Sequence, residues 1–376
     1  MSVRSLTTPA SSEELHERVR AFARARVTAG LEVDHRSFDE LALAIHAHQR
    51  ATVPAIARLN PVLATTVDSI GAAPTDLFRA RRLAAHDESQ DTVRFRTSGT
   101  TGSQAGLHAL RDTRTYVSNA LLFADAMLFP QVAPERALVL APSSKDLPTS
   151  SLSFMIDAVL AHRELSASHL VDATLGLRAG DVVGELAALA ADPRPTVVFG
   201  TSFAFVFTLD HVDEQGGRAT FPLGAGSVVM LTGGFKGRTR EIPEAELRAR
   251  LAALFALDER AIVGEYGMTE LTSQLYEPTL SDEHTDVTRT TPERRVYRPP
   301  PWVRVQAADP DSLDPLPPGH EGIARITDLG NVDSSVVVQT LDWVRVDERG
   351  DVELFGRAKG AALRGCSLLV EELGRA

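Results

Sequence analysis

Short apolar runs recurring between helical stretches constrain this chain most. From Phe95 onward Ala137-Leu138-Val139-Leu140, the helical Met155–Ala161, Thr196-Val197-Val198-Phe199-Gly200 and Val228-Val229-Met230-Leu231 follow one another. Apolar strands alternating with helices predict an α/β layered fold. Thr201-Ser202-Phe203-Ala204-Phe205 opens a further helix at a strand end, where open α/β sheets place their ligand contacts. Ahead of this body, Ser11-Ser12-Glu13-Glu14 marks a helix start with Leu15, Val19, Phe22 and Ala23 on its apolar face. A second helix is expected from Phe38 through Arg58, carrying Leu41, Leu43, Ile45, Val53 and Ile56. His35, His46 and His48 lie in this region without metal-ligand geometry and read as satisfied surface or core histidines.

Between the strand-like Thr92–Arg96 and a helix expected over Thr113–Met127 stands Thr97-Ser98-Gly99-Thr100-Thr101-Gly102. Its glycines permit the positive-φ backbone that turns several N–H groups toward one anion, and its hydroxyls add donors without bulk. A run of this kind serves either as a plain connection or as a phosphate cradle. No Walker loop occurs nearby, so the kinase and GTPase readings lose their main support. Downstream, Glu265-Tyr266-Gly267-Met268-Thr269-Glu270 follows the apolar Ala261-Ile262-Val263. Its threonine and its last carboxylate are candidates for phosphate and Mg²⁺ contact, although a lone acidic residue after a strand is also an ordinary solvated side chain. Thr340-Leu341-Asp342-Trp343 and Asp347–Phe355 form a hairpin pattern closed by Gly356-Arg357.

Taken in order, these segments resemble the motifs of the adenylate-forming superfamily, which holds acyl-CoA ligases, luciferases and peptide-synthetase adenylation domains. The resemblance implies ATP and Mg²⁺ as cofactors. It assigns Thr97, Ser98, Gly99, Thr100, Thr101 and Gly102 to the phosphates, Thr269 to the α-phosphate, Glu270 to the metal, and Asp342 and Arg357 to the ribose. Tyr266 and Gly267 belong to the second motif, and Gly233 and Gly234, within Leu231–Lys236, border the adenine pocket. Phe203, Phe205 and Phe207 are either walls of the acid pocket or core. Where many relatives carry a lysine after the last glycine of the loop, this chain has Gln104-Ala105-Gly106, so the metal and arginines must neutralise the phosphates.

The ending narrows the resemblance. After Arg357, a hinge in the superfamily, Ala358–Ala376 stands in place of a full lid domain, and Leu363-Arg364-Gly365-Cys366-Ser367-Leu368 holds the single cysteine. This is similar to the LuxE-type acyl-protein synthetases, in which that cysteine accepts the acyl group, as are Leu140–Ser143 and Ser150–Met155. The expected organisation is a helical region over 1–90, an α/β nucleotide- and acid-binding core over 91–290, a small β-rich subdomain over 291–356 and a post-hinge tail over 357–376. The implied activity is ATP-dependent formation of an acyl adenylate from a long-chain fatty acid, then transfer to Cys366 for delivery to an acyl reductase, with an acyltransferase as a further partner. A buried, inert Cys366 is the opposing local reading. An acyl- or aryl-CoA or carrier-protein ligase using an external thiol, and a non-catalytic nucleotide-binding subunit, are the alternatives.

Charge and composition restrict the field further. A net charge of −11 among 376 residues argues against nucleic-acid binding, which needs a basic face. One cysteine permits no intramolecular disulfide, and neither a signal peptide nor a run of about 18 apolar residues is visible, so a cytoplasmic protein without a membrane span is expected.

Overall fold

The computed structural model describes residues 10–97, 105–172, 176–215, 219–233, 242–280 and 295–357. These group into two compact units. One draws on Met1–Asn119, Thr269–Ser273 and Pro299–Ala376, the other on Ala120–Met268 and Gln274–Arg298.

The second unit is the predicted α/β layer. Its sheet runs in the order Leu275–Tyr276, Ile262–Tyr266, Val228–Thr232, Thr196–Thr201, Arg136–Leu140, Ser166–His169, and every pairing is parallel except the first. The three apolar runs named from sequence are its central strands, each found within a residue of its expected ends. Alternate side chains build two cores. Leu138, Leu140, Val198, Val229, Leu231 and Ile262 pack with the helices Ala179–Ala191, Ser202–Glu214 and Glu244–Phe255. Ala137, Val139, Val197, Phe199, Met230 and Val263 are equally buried. The latter set takes the opposite face by the period of two. Gly200 has no Cβ for a structural reason, since one would lie 2.7 Å from the Phe205 ring.

The strand ends are in register: Thr201 opposes Thr232, and Thr232 opposes Glu265. Thr201 caps the helix Ser202–Glu214 by accepting the Ala204 N–H at 3.2 Å. On that helix Phe205 is core, whereas Phe207 is 42 % exposed and meets Phe203 edge-on at 4.8 Å. The three phenylalanines therefore do not form one wall.

The first unit holds an antiparallel sheet in the order Val352–Arg357, Val337–Val346, Glu321–Asp328, Val303–Ala308, and Ala73–Pro74 pairs with Val337–Val346 in parallel. The N-terminal helices pack into this unit. Helix Ser12–Thr28 begins at the Ser11 cap, as its sequence predicts. Helix His35–Thr52 ends at Val53, and Pro54–Leu59 forms a separate short helix, so the single helix expected over Phe38–Arg58 is two. Pro54 explains the break: it lacks an N–H, disfavours helical backbone at Val53, and is preorganised for the first turn of the next helix.

Gln49 anchors helix His35–Thr52, donating to the Asn331 and Val332 carbonyls at 2.6 and 2.9 Å and accepting the Val336 N–H at 3.0 Å. Ser12, His16 and Arg111 surround the Asp333 carboxyl, with Ser12 donating at 2.5 Å and His16 Nε2 at 3.2 Å. Burial opposes this charge, yet the His16, His48 and Ser12 contacts outweigh it and hold Asp333 far below the usual carboxylate range. His48 Nε2 stands 3.7 Å from Asp333, an ion-pair rather than a hydrogen-bond distance.

His46 corrects the expectation of a satisfied histidine. It is fully buried with no hydrogen-bond partner on either ring nitrogen among the described residues, and burial pushes it down to about 4, which leaves it neutral. No helix among the described residues is long and apolar enough to cross a membrane.

Candidate active site

In the first unit the Gly/Thr-rich loop is closed at its base. Strands Val93–Arg96 and Leu107–Leu110 pair antiparallel, the Thr97 N–H donates to the Gly106 carbonyl at 3.0 Å, and the Thr97 hydroxyl accepts the Gly106 N–H at 2.8 Å. Ser98, Gly99, Thr100, Thr101 and Gly102 lie outside the described residues, as do Gly234 and Cys366.

Thr269 and Glu270 are held beside this base. The Thr269 hydroxyl points to the Arg96 carbonyl at 3.4 Å, the Glu270 carbonyl accepts from Asn331 Nδ2 at 2.9 Å, and His108 Nδ1 lies 2.8 Å from the Thr269 carbonyl. Asp328 fastens the following residues, accepting from the Thr272 N–H, the Ser273 hydroxyl and the Gly330 N–H at 2.9, 2.9 and 2.8 Å. The Glu270 side chain is 7 % exposed. Burial pushes its carboxyl up to about 7, against the pull of Arg79 and Arg357 and with the push of Asp342.

Asp342 and Arg357 come together through hairpin register. They face each other across the two strands, with Arg357 Nε 3.6 Å from Asp342 Oδ1. Arg79 is the cation that sequence reasoning missed. Its Cγ lies 3.3 Å from where a Cβ on Gly106 would sit, beside Thr97, and its charge reaches Glu270. An arginine in the run Arg79-Ala80-Arg81-Arg82, outside every motif, carries no local signal of this placement.

The second unit carries Gly233, Glu265, Tyr266 and Gly267 at the carboxyl end of its parallel sheet. Gly233 is exposed, takes φ +67°, and has its carbonyl held by the Ser202 hydroxyl at 2.6 Å. Glu265, quoted in the motif but given no role from sequence, is 6 % exposed, and the Thr232 hydroxyl donates to it. Burial pushes Glu265 up to about 7. Its Oε1 lies 2.5 Å from the Cβ position of Gly267, which explains the glycine. Tyr266 packs near Tyr297, ring centroids 6.2 Å apart.

The model of the family described as "Acyl-protein synthetase, LuxE" matches residues 55–373. The chain belongs to this family. A curated relative, the long-chain-fatty-acid–luciferin-component ligase of Vibrio harveyi, is 29% identical over 167 residues, which cover 42% of this chain and 40% of that protein. The fold of this LuxE-family chain is similar to that of a 2-hydroxyisobutyryl-CoA ligase solved with 2-HIB-AMP in the postadenylation state. That likeness has a TM-score of 0.62 at 14% identity and covers 89% of this chain and 71% of that one. ATP-bound MatB from Rhodopseudomonas palustris matches with a TM-score of 0.50 at 19% identity, over 73% of this chain and 49% of MatB. The chain thus spans well under two thirds of the curated relative and about half of MatB. Both solved structures support the α/β adenylate-forming fold expected from sequence.

Proposed function

We propose that this protein activates a long-chain fatty acid with MgATP and then transfers the acyl group to its own Cys366. The observation carrying this reading is the LuxE family match over residues 55–373, which contains every motif of the proposed nucleotide site and the cysteine. In the first step the fatty carboxylate bonds the α-phosphorus and pyrophosphate departs. In the second the Cys366 thiolate bonds the acyl carbon and AMP departs with the C–O electron pair, a good nucleophile meeting a good leaving group.

The residues present suit MgATP. Glu270 offers a buried carboxylate whose charge is costly until a cation arrives, and one carboxylate with phosphate oxygens is a donor set Mg²⁺ takes. The metal supplies charge neutralisation of the phosphates. Thr269 then contacts the α-phosphate, the Thr97–Gly102 loop holds the departing phosphates, and Arg79 supplies positive charge where the loop lacks a lysine. Asp342 takes the ribose hydroxyls with Arg357 beside it, while Gly233 and Gly234 shape the adenine pocket with the Tyr266-Gly267 turn. Residues 357–376 act as the tail that delivers the sulfur, which makes the second step intramolecular. The acyl thioester passes to an acyl reductase in the cytoplasm, and an acyltransferase provides the acid.

Intact-mass measurement after incubation with MgATP and a panel of fatty acids tests this directly. The expected product carries one acyl group, and Cys366→Ser should retain acid-stimulated pyrophosphate exchange but lose the adduct. An adduct retained in that variant removes Cys366 from the scheme. Exchange with no protein adduct, and free acyl-CoA formed with release of AMP once CoA is added, makes the protein an external-thiol ligase, and absence of exchange makes it a non-catalytic nucleotide-binding subunit.

A further inference from the structure

His108 belongs to no motif, yet it bonds the backbone of one, the Thr269 carbonyl beside Glu270. It sits on Leu107–Leu110, the strand leaving the Thr97–Gly102 loop, and is only 1 % exposed. Both ring nitrogens are engaged, Nδ1 with the Thr269 carbonyl at 2.8 Å and Nε2 with the Ser334 hydroxyl at 3.0 Å. A carbonyl only accepts, so Nδ1 carries the proton, and Nε2 must accept from Ser334 if the ring is neutral. Burial pushes the ring down to about 4, which keeps it neutral and in that tautomer at physiological pH. Phe78 packs edge-on at 5.6 Å and 74°, restricting ring rotation.

One imidazole thereby ties the strand after the phosphate loop to the Thr269-Glu270 backbone and to the 331–335 loop. That loop returns a second tie, since Asn331 Nδ2 donates to the Glu270 carbonyl at 2.9 Å and to the Ser335 carbonyl at 3.0 Å. Among the described residues the Thr269 side chain has only the long 3.4 Å contact with the Arg96 carbonyl, so its backbone, rather than its hydroxyl, is the point of control.

We propose that His108 is a positioning residue, with Ser334 selecting its tautomer, that sets the Thr269 peptide so that the Thr269 hydroxyl and the Glu270 carboxylate meet the phosphates and metal of bound MgATP. This rests on the proposed activity and adds to it a residue that makes no ligand contact. A carboxamide can separate the two nitrogens: asparagine places its N–H₂ where Nδ1 lies, and glutamine places it nearer Nε2.

The experiment uses the full chain as wild type, His108→Asn, His108→Gln, His108→Ala and Ser334→Ala. Acid-stimulated pyrophosphate exchange gives KM for MgATP and for the acid, calorimetric titration gives MgATP affinity directly, and thermal unfolding monitors the fold. His108→Gln and His108→Ala should raise KM and Kd for MgATP about tenfold or more while KM for the acid holds, and His108→Asn should recover most of that loss. Ser334→Ala should fall between. The inference is overturned if the asparagine variant binds MgATP no better than the glutamine variant, or if every variant loses thermal stability in step with affinity. Wild type that binds MgATP in the expected His108-dependent order without exchange would leave the positioning role standing and refute the activity, whereas wild type that binds no MgATP refutes both.

Discussion

Glu265→Gln isolates the energetic cost of placing a carboxyl at the end of a buried parallel sheet. The side chain is 6 % exposed, closes against Gly267 and accepts from Thr232, and burial raises it from 4.5 to about 7. A carboxyl whose folded-state pKa is raised is held protonated more tightly in the folded chain than in the unfolded one. Folding therefore takes up a proton between the two values, and stability falls as pH rises through that window, with the full loss above about pH 7. The displacement corresponds to a loss of about 3 kcal/mol, an upper bound because the site can relax or admit water. Glutamine keeps the shape and still accepts from the Thr232 hydroxyl through its amide oxygen, but it never ionises. The variant should match wild type near pH 4.5 and exceed its stability at pH 8.5 by an amount that reaches at most about 3 kcal/mol. The probe matters, because both tryptophans, Trp302 and Trp343, belong to the other unit and their fluorescence will miss the effect. Hydrogen-exchange protection of the amides in Thr196–Thr201, Val228–Thr232 and Ile262–Tyr266, followed against pH, reports the sheet itself. A difference between the two proteins that does not change with pH, or a glutamine variant weaker at pH 8.5, refutes the reasoning.

Two further experiments test buried ion pairs, one in each unit. Arg248 and Glu277 are both wholly buried, 2.9 Å apart, and Gly264 lies so close that a Cβ there would stand 2.8 Å from the Glu277 Cδ; Arg248→Met should cost about 3–5 kcal/mol in exchange protection of the parallel sheet, and adding Glu277→Gln should restore part of it. Asp333 is depressed, so its stabilisation is present above its unfolded value of 3.8 and is lost as pH falls below that toward the folded value. Asp333→Asn should therefore weaken the first unit at pH 7 by several kcal/mol, and the gap from wild type, read by Trp302 and Trp343 fluorescence during urea unfolding, should shrink as pH drops below about 3.8.

What could be read from the chain divides along the distance over which each feature is determined. The central strands were legible because strands covered on both faces are apolar at every position, a property visible in five residues. The break at Pro54 is just as local, and reading through it placed apolar spacing above the missing N–H that decides the matter. Thr269, Glu270, Asp342 and Arg357 stand in segments whose backbone shape presents them, so their motifs name them, although only the hairpin register with its bulge between Trp343 and Val344 shows that the last two meet. His108, Arg79 and Glu265 are different. Their importance comes from what surrounds them: His108 reaches partners 161 and 226 positions away, Arg79 packs beside Gly106, and Glu265 is changed by burial at a register position opposite Thr232. No short pattern encodes such neighbours. A motif finds side chains placed to touch a ligand because local geometry repeats, while the residues that hold those side chains still are set by tertiary packing, which is why the support behind Thr269 emerged only once the chain was folded.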